Sequence, residues 1–316
     1  MLARVPAMSN FSFDLIYRVG SVRSARPLML AIGLGLIASF CFAAAMILIN
    51  RGVLVLDYFR GLLTNLGVNA LFLWLYLLLM GTGAEFWTAA NLIFVLVGIF
   101  VPGVARFFIF KGMQRLGASI TACLTNVTPL FATLFAALFL RERPTATNLL
   151  GTFAIVCGIV ALSWKGATKS WRTRDLLFPL AAAFLFAGRD NLVRFGLLQI
   201  GSPVFGAAIA ATTSFLTMSA IYTVLEKKTP LASGAARGFA FFFAAGFMNF
   251  LSYVFAYTAL GLERVSLISP LVNGSALFIL PLSAIFLRGV EQLTLRKIGA
   301  VCLVIAGVVL ISWEKL

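Results

Sequence analysis

Histidine is absent from all 316 residues. Catalysis or metal binding through imidazole is therefore excluded. Cysteine is scarce: Cys41, Cys123, Cys157 and Cys302 all fall inside apolar runs, and none shows Cys-x-x-Cys spacing. They read as free packing thiols, not as disulfides or a zinc site. Acidic residues are few as well, ten Asp and Glu against 25 Lys and Arg, for a net charge of +15. Such a balance raises nucleic acid as a partner. The basic residues, however, are scattered at the ends of apolar runs instead of forming one patch, and nucleic acid is set aside. Ends of membrane spans are where orientation and anionic headgroups call for Lys and Arg.

What the chain has in abundance is hydrocarbon. It is 61% hydrophobic with a mean hydropathy of +1.03, which is not the composition of a soluble domain. Ten apolar runs approach the length a bilayer-spanning helix needs: 28–49, 54–80, 90–112, 117–140, 147–164, 176–198, 203–226, 237–260, 266–287 and 294–313. In lipid the backbone must bond to itself, so each run is expected to be helical. Residues 1–27 form a basic arm with Arg4, Arg18, Arg23, Arg26 and one acid, Asp14. No apolar run follows a short basic head there, so no cleavable signal peptide is expected.

The chain repeats itself. The stretch Leu116 to Trp164 returns as Leu262 to Trp313. Ser119 falls on Ser266, Asn126 on Asn273, Leu140-Arg141 on Leu287-Arg288, Gly158 on Gly307 and Ser163-Trp164 on Ser312-Trp313. Earlier spans match too: Phe42 on Phe186, Ala43 on Ala187, Gly52 on Gly196. The expected organisation is two five-helix repeats, 28–164 and 176–313, joined by the basic linker 165–175. An odd number of spans per repeat inserts the halves upside down relative to each other and places a site between them at the bilayer midplane. The fold class expected is thus an all-α integral membrane protein of ten transmembrane helices in two inverted five-helix repeats.

Orientation is less uniform. Basic residues of the first half favour the side of the N-terminus, which would put both termini in the cytoplasm. The second half then places Lys165, Lys169, Arg172, Arg174, Lys227, Lys228, Arg237, Arg288, Arg296 and Lys297 outside, against the positive-inside tendency. A nine-span version in which 176–198 does not cross would repair the charge count. Ten spans are preferred because 176–198 matches the first span.

Gly117-Ala118-Ser119, Pro129, Leu138-Phe139-Leu140-Arg141-Glu142, Gly151 and Gly158, with a weaker copy at 264–307, resemble the ten-helix EamA-type branch of the drug/metabolite transporter superfamily. The resemblance spans essentially the whole chain. It implies a basket of helices around a central cavity, with the fifth and tenth spans peripheral. It also implies a secondary transporter, and relatives export amino acids, nucleotides, sugars, drugs and lipid headgroups. The chain departs from the pattern at Phe40-Cys41-Phe42, where many relatives carry Trp. It departs again at Arg288-Gly289-Val290, the counterpart of Arg141-Glu142-Arg143.

Ionisable groups inside hydrocarbon cost roughly 2.5–3.5 kcal/mol on insertion scales, so those that remain usually face a cavity or a partner. Here they are Arg60, Arg106, Arg189, Asp190 and Arg194, with Asp57 near a span end. Asp57 and Arg60, and Asp190 and Arg194, share helix faces, so local pairing or snorkelling competes with substrate contact. Arg106 has no acidic neighbour at helical spacing, and its counterpart in the repeat is Tyr253. Asn249, Tyr253 and Tyr257 make one polar stripe, matched by Pro102, Arg106 and Phe110. Asn126 and Asn273 each lie three residues from a proline, Pro129 or Pro270. Each either satisfies a carbonyl freed by it or contacts substrate.

The candidate substrate-binding set is therefore Arg60, Arg106, Asn126, Arg189, Asp190, Asn249, Tyr253, Tyr257 and Asn273. Asp190 and Asp57 are the candidate proton-coupling acids. No metal site, no cofactor and no enzyme activity are expected. Surplus arginine points to a substrate bearing a carboxylate or phosphate. The expected activity is alternating-access transport, in the export direction, of a small anionic or zwitterionic organic solute across a bacterial inner membrane. An amino acid or related metabolite is the best single guess. A flippase for an anionic lipid or lipid-linked headgroup is the alternative. Membrane lipids are the remaining expected partners, and a homodimer is left open.

Overall fold

The structure is a computed structural model that describes residues 25–80, 88–116, 121, 124–163, 172–200, 202–225, 235–275, 277–278, 282 and 295–313. Helix is the only regular structure among the described residues. In chain order the helices are α1 (Ala25–Gly52), α2 (Tyr58–Met80), α3 (Asn91–Ile99), α4 (Ala105–Leu116), α5 (Thr128–Phe139), α6 (Ala146–Ser163), α7 (Leu177–Leu197), α8 (Pro203–Leu225), α9 (Ala235–Leu262), α10 (Val265–Val272) and α11 (Leu295–Trp313). A π-helical turn, Phe100–Val104, joins α3 to α4, and a 3-10 turn, Thr173–Leu176, leads into α7. Among the described residues five helical stretches are long and apolar enough to cross a bilayer: Leu28–Gly52, Phe59–Met80, Thr173–Leu197, Pro203–Val224 and Ala235–Leu262. Large apolar side chains such as Leu71, Leu78, Phe139 and Leu216 stand exposed. In water they would be a liability; in lipid the surroundings are as apolar as they are.

Three runs expected to be unbroken are interrupted. Run 90–112 breaks at Val101, whose backbone is extended (φ −130°, ψ 120°). Pro102 explains this: it forces the preceding residue out of the helical region and lacks the N–H that would bond the Gly98 carbonyl. The Ser214 hydroxyl from α8 lies 3.1 Å from both Gly98 O and Val101 O and shares its proton between them. Run 117–140 breaks in a turn at residues 126–127, and α5 restarts with Thr128-Pro129, where proline costs no hydrogen bond. Run 266–287 breaks at Asn273, just past α10. The two paired asparagines thus sit at two helix breaks.

Nearly every major packing joins the N-terminal half of the chain to the C-terminal half: α9 with α1 and α2, α8 with α2 and α3, α7 with α4 and α5, α10 with α1 and α5, α11 with α6. The contacts are reciprocal. Phe94 on α3 fills a notch between Gly196 and Gly206, where a Cβ on either glycine would lie 2.6 Å from its ring. Phe242 on α9 fills the matching notch between Gly52 and Gly61. These two rings are among the largest fully buried side chains. Gly158 on α6 abuts Ala300 O and Val304, and Gly307 on α11 abuts Gly151 O and Ile155. Each glycine removes the side chain that would otherwise hold the backbones apart.

Candidate functional site

A buried ion pair lies where α7 meets α10. Asp190 on α7 is 1% exposed. Its Oδ1 accepts from Arg189 Nη2 at 2.6 Å and Nε at 3.0 Å. Its Oδ2 accepts from Ser269 Oγ at 2.7 Å and from Asn273 Nδ2 at 3.1 Å. A buried carboxylate is tolerated only when its oxygens are met this fully. Asn273 Nδ2 also lies 2.8 Å from Ser269 O, four residues back. Asn273 therefore bonds a carbonyl at the helix break, though not Ser266 O, the one Pro270 frees, and it also reaches the Asp190 carboxylate.

Arg189 is the accessible member of the pair, with 21% of its side chain exposed. Its guanidinium sits 5.4 Å from the Phe186 ring centroid, a cation–π distance. Tyr253 and Tyr257 on α9 lie in its neighbourhood, and their rings stack at 5.6 Å and 17°. The structure thus brings Arg189, Asp190, Asn273, Tyr253 and Tyr257 together. Ser269 completes the cluster. It was legible as a polar residue one helical turn before Asn273, on the same face.

Asp57, Arg60 and Asn249 take their partners elsewhere. Asp57 caps α2, its Oδ2 accepting from Phe59 N at 2.9 Å and Arg60 N at 3.3 Å, so its partner is a helix end. Arg60 donates to Tyr222 Oη of α8 at 3.2 Å. Asn249 donates to Asn65 Oδ1 at 2.8 Å and ties α9 to α2. Asn126 is half-buried in the turn before α5. Arg106 stands in the first turn of α4, directly past the break; its side chain lies outside the described residues, as do those of Pro102 and Phe110. Arg194, one turn from Asp190, does not pair with it. It donates at 2.7 Å to both Leu260 O and Gly261 O and closes the end of α9.

A second carboxylate holds the other end of α10. Glu142 accepts from Val265 N at 2.9 Å, Ser266 N at 3.1 Å and Ser266 Oγ at 2.8 Å. It supplies the free N–H groups at a helix start with a negative partner. The polar turn 141–145 thus reaches across to the C-terminal half. Among the described residues no group of three or more Cys, Asp and Glu side chains is placed to hold a metal ion. Cys41, Cys157 and Cys302 are free thiols, and Cys123 lies outside the described residues.

Apolar helices, lipid-type surface and a buried polar cluster beside a broken helix define a multi-pass integral membrane protein. Comparison narrows this. Residues 29–164 match the EamA-like transporter family, which belongs to the drug/metabolite transporter superfamily. That part of the chain is thus similar to a family of membrane transporters of small solutes. No curated protein sequence matches it. One solved crystal structure shares its fold with a TM-score of 0.73 at 15% identity, over 90% of this chain and 96% of that one.

Proposed function

We propose that the chain is a ten-span secondary transporter of two inverted five-helix repeats, working by alternating access. The reciprocal contacts support the repeat. A notch from each half grips a phenylalanine from the other, and Gly158 and Gly307 abut residues at matching positions of the opposite half. A two-fold relation makes contacts of this self-matching kind.

One observation carries the substrate reading: the pairing of Arg189 and Asp190 beside the break at Asn273. Breaks of this kind commonly line transporter sites. The pair is already neutral. A simple anion would leave the site with a net charge in a poorly solvated place, and a zwitterion would not. The substrate we infer is therefore a small zwitterion such as an α-amino acid. Its carboxylate engages the exposed edge of Arg189, and its ammonium group faces the stacked Tyr253 and Tyr257. Export across a bacterial inner membrane, with both termini cytoplasmic, completes the reading. Asp190 is the coupling acid: a proton there would release Arg189, Ser269 and Asn273 together.

The test is a thermal-shift panel on the purified chain and on Arg189→Gln, with neutral α-amino acids, dicarboxylates, nucleotides, lipid phosphates and cationic drugs. Stabilisation by amino acids that disappears in the variant is expected, followed by saturable uptake of the same compounds in proteoliposomes. Stabilisation by cations alone would refute the site. Stabilisation by lipid phosphates alone would replace solute transport with flipping of a lipid headgroup.

A further inference from the structure

Far from the buried pair along α7, a cavity of about 480 Å³ opens between the end of α4 and the start of α7. Its rim carries Arg115, Arg172, Arg174 and Asp175, and its wall carries Phe108 and Phe178. The acid is already engaged: Asp175 Oδ2 accepts from Arg172 N at 3.1 Å. Among the described residues none of the three guanidinium groups is ion-paired. The rim therefore holds uncompensated positive charge, increased by the N-terminal end of α7 that opens onto it. The wall is of the opposite character. The Phe108 and Phe178 rings lie 6.5 Å apart, and the neighbouring Leu177 is 65% exposed. Charge stands at the ends of two spans and apolar rings continue along the helices.

We propose that this cleft binds a phosphate group, and that its occupant is an anionic phospholipid. The phosphate bonds to the arginine rim, and the first carbons of an acyl chain lie along Phe108 and Phe178. Guanidinium forks match phosphate oxygens in pairs, and basic pockets between spans recognise anionic headgroups in this way. A soluble phosphate shares the rim chemistry but has no use for the wall. The site stands apart from Arg189 and Asp190, so its fate does not bear on the transport reading.

The test is thermal unfolding of the full chain in neutral detergent with phosphatidylglycerol, phosphatidylcholine or inorganic phosphate. The variants are Arg172→Gln/Arg174→Gln and a control of equal charge loss, Arg143→Gln/Arg237→Gln. Phosphatidylglycerol is expected to raise the unfolding temperature of the parent and the control by several degrees. Phosphatidylcholine should not, and the cleft variant should keep less than half the shift. An equal shift from inorganic phosphate, lost in the cleft variant, would assign the rim to a soluble phosphate. A full lipid shift in the cleft variant, or an equal loss in the control, would overturn the proposal. Should the double variant misfold, Arg115→Gln takes its place with the same outcomes.

Discussion

At the residue scale the molecule turns on two carboxylates in places where carboxylates are costly. Asp190 is buried and its oxygens receive four donor contacts. Asp190→Asn should leave Arg189 without its counter-charge and cost about 3 kcal/mol, read as a lowered unfolding temperature. Arg189→Gln/Asp190→Asn removes both charges and should recover much of that stability while transport stays lost. Recovery of transport in the double variant would make the pair a structural element only. Where flux depends on pH in the parent, Asp190→Asn should flatten the profile. Glu142 is the second case. Glu142→Ala strips three acceptor contacts from the start of α10 and should cost about 1–2 kcal/mol, with Glu142→Gln falling between it and the parent.

At the element scale the broken helices matter most. α10 is eight residues long, too short to be stable alone. It is held at its start by Glu142 and near its end by Asp190 through Ser269 and Asn273. A short helix pinned at both ends by groups from other elements can tilt as a unit when either pin is released. The break at Val101 is held differently, by one hydroxyl on α8. Ser214→Ala should leave two buried carbonyls without that donor and cost about 1–3 kcal/mol. Ser214→Thr, which keeps the hydroxyl, should cost less; equal losses in denaturation experiments would mean that packing, not the hydrogen bond, holds the break.

For the whole molecule, crossing number and pseudo-symmetry can be tested together. Glu142 touches the start of α10, and the Arg115 and Arg172 side chains line one cleft. Ten crossings put Arg264 and Arg172 on opposite sides of the membrane, whereas a version in which α7 does not cross puts them on the same side. Single cysteines at the two positions, in a cysteine-free background, should react with a membrane-impermeant thiol reagent from opposite faces. The α6–α11 contact should also respond symmetrically. Gly158→Leu and Gly307→Leu each force a side chain into a backbone contact, and each should cost at least about 1–3 kcal/mol by overpacking. A large loss from one and none from the other would argue against equivalent roles for the two glycines.

Composition and the 3.6-residue chemistry of lipid-buried chain made the helical membrane class legible, and Leu138 to Glu142 with its neighbours pointed to the family. The adjacency of Arg189 and Asp190, and the pairing of Asn126 with Asn273, were visible as a repeat with charge in it. Tertiary structure alone decided which partner each polar group took. Asp190 chose Arg189 and α10, leaving Arg194 to cap α9. Asn249 turned to Asn65, and Glu142 reached a helix 123 residues away. Such choices depend on which helices pack together, and a local pattern of faces holds no record of that. Helix spacing is set by bonds four residues apart and is written in the chain. The satisfaction of a buried charge is set by whatever the fold brings within 3 Å, and only the folded molecule determines it.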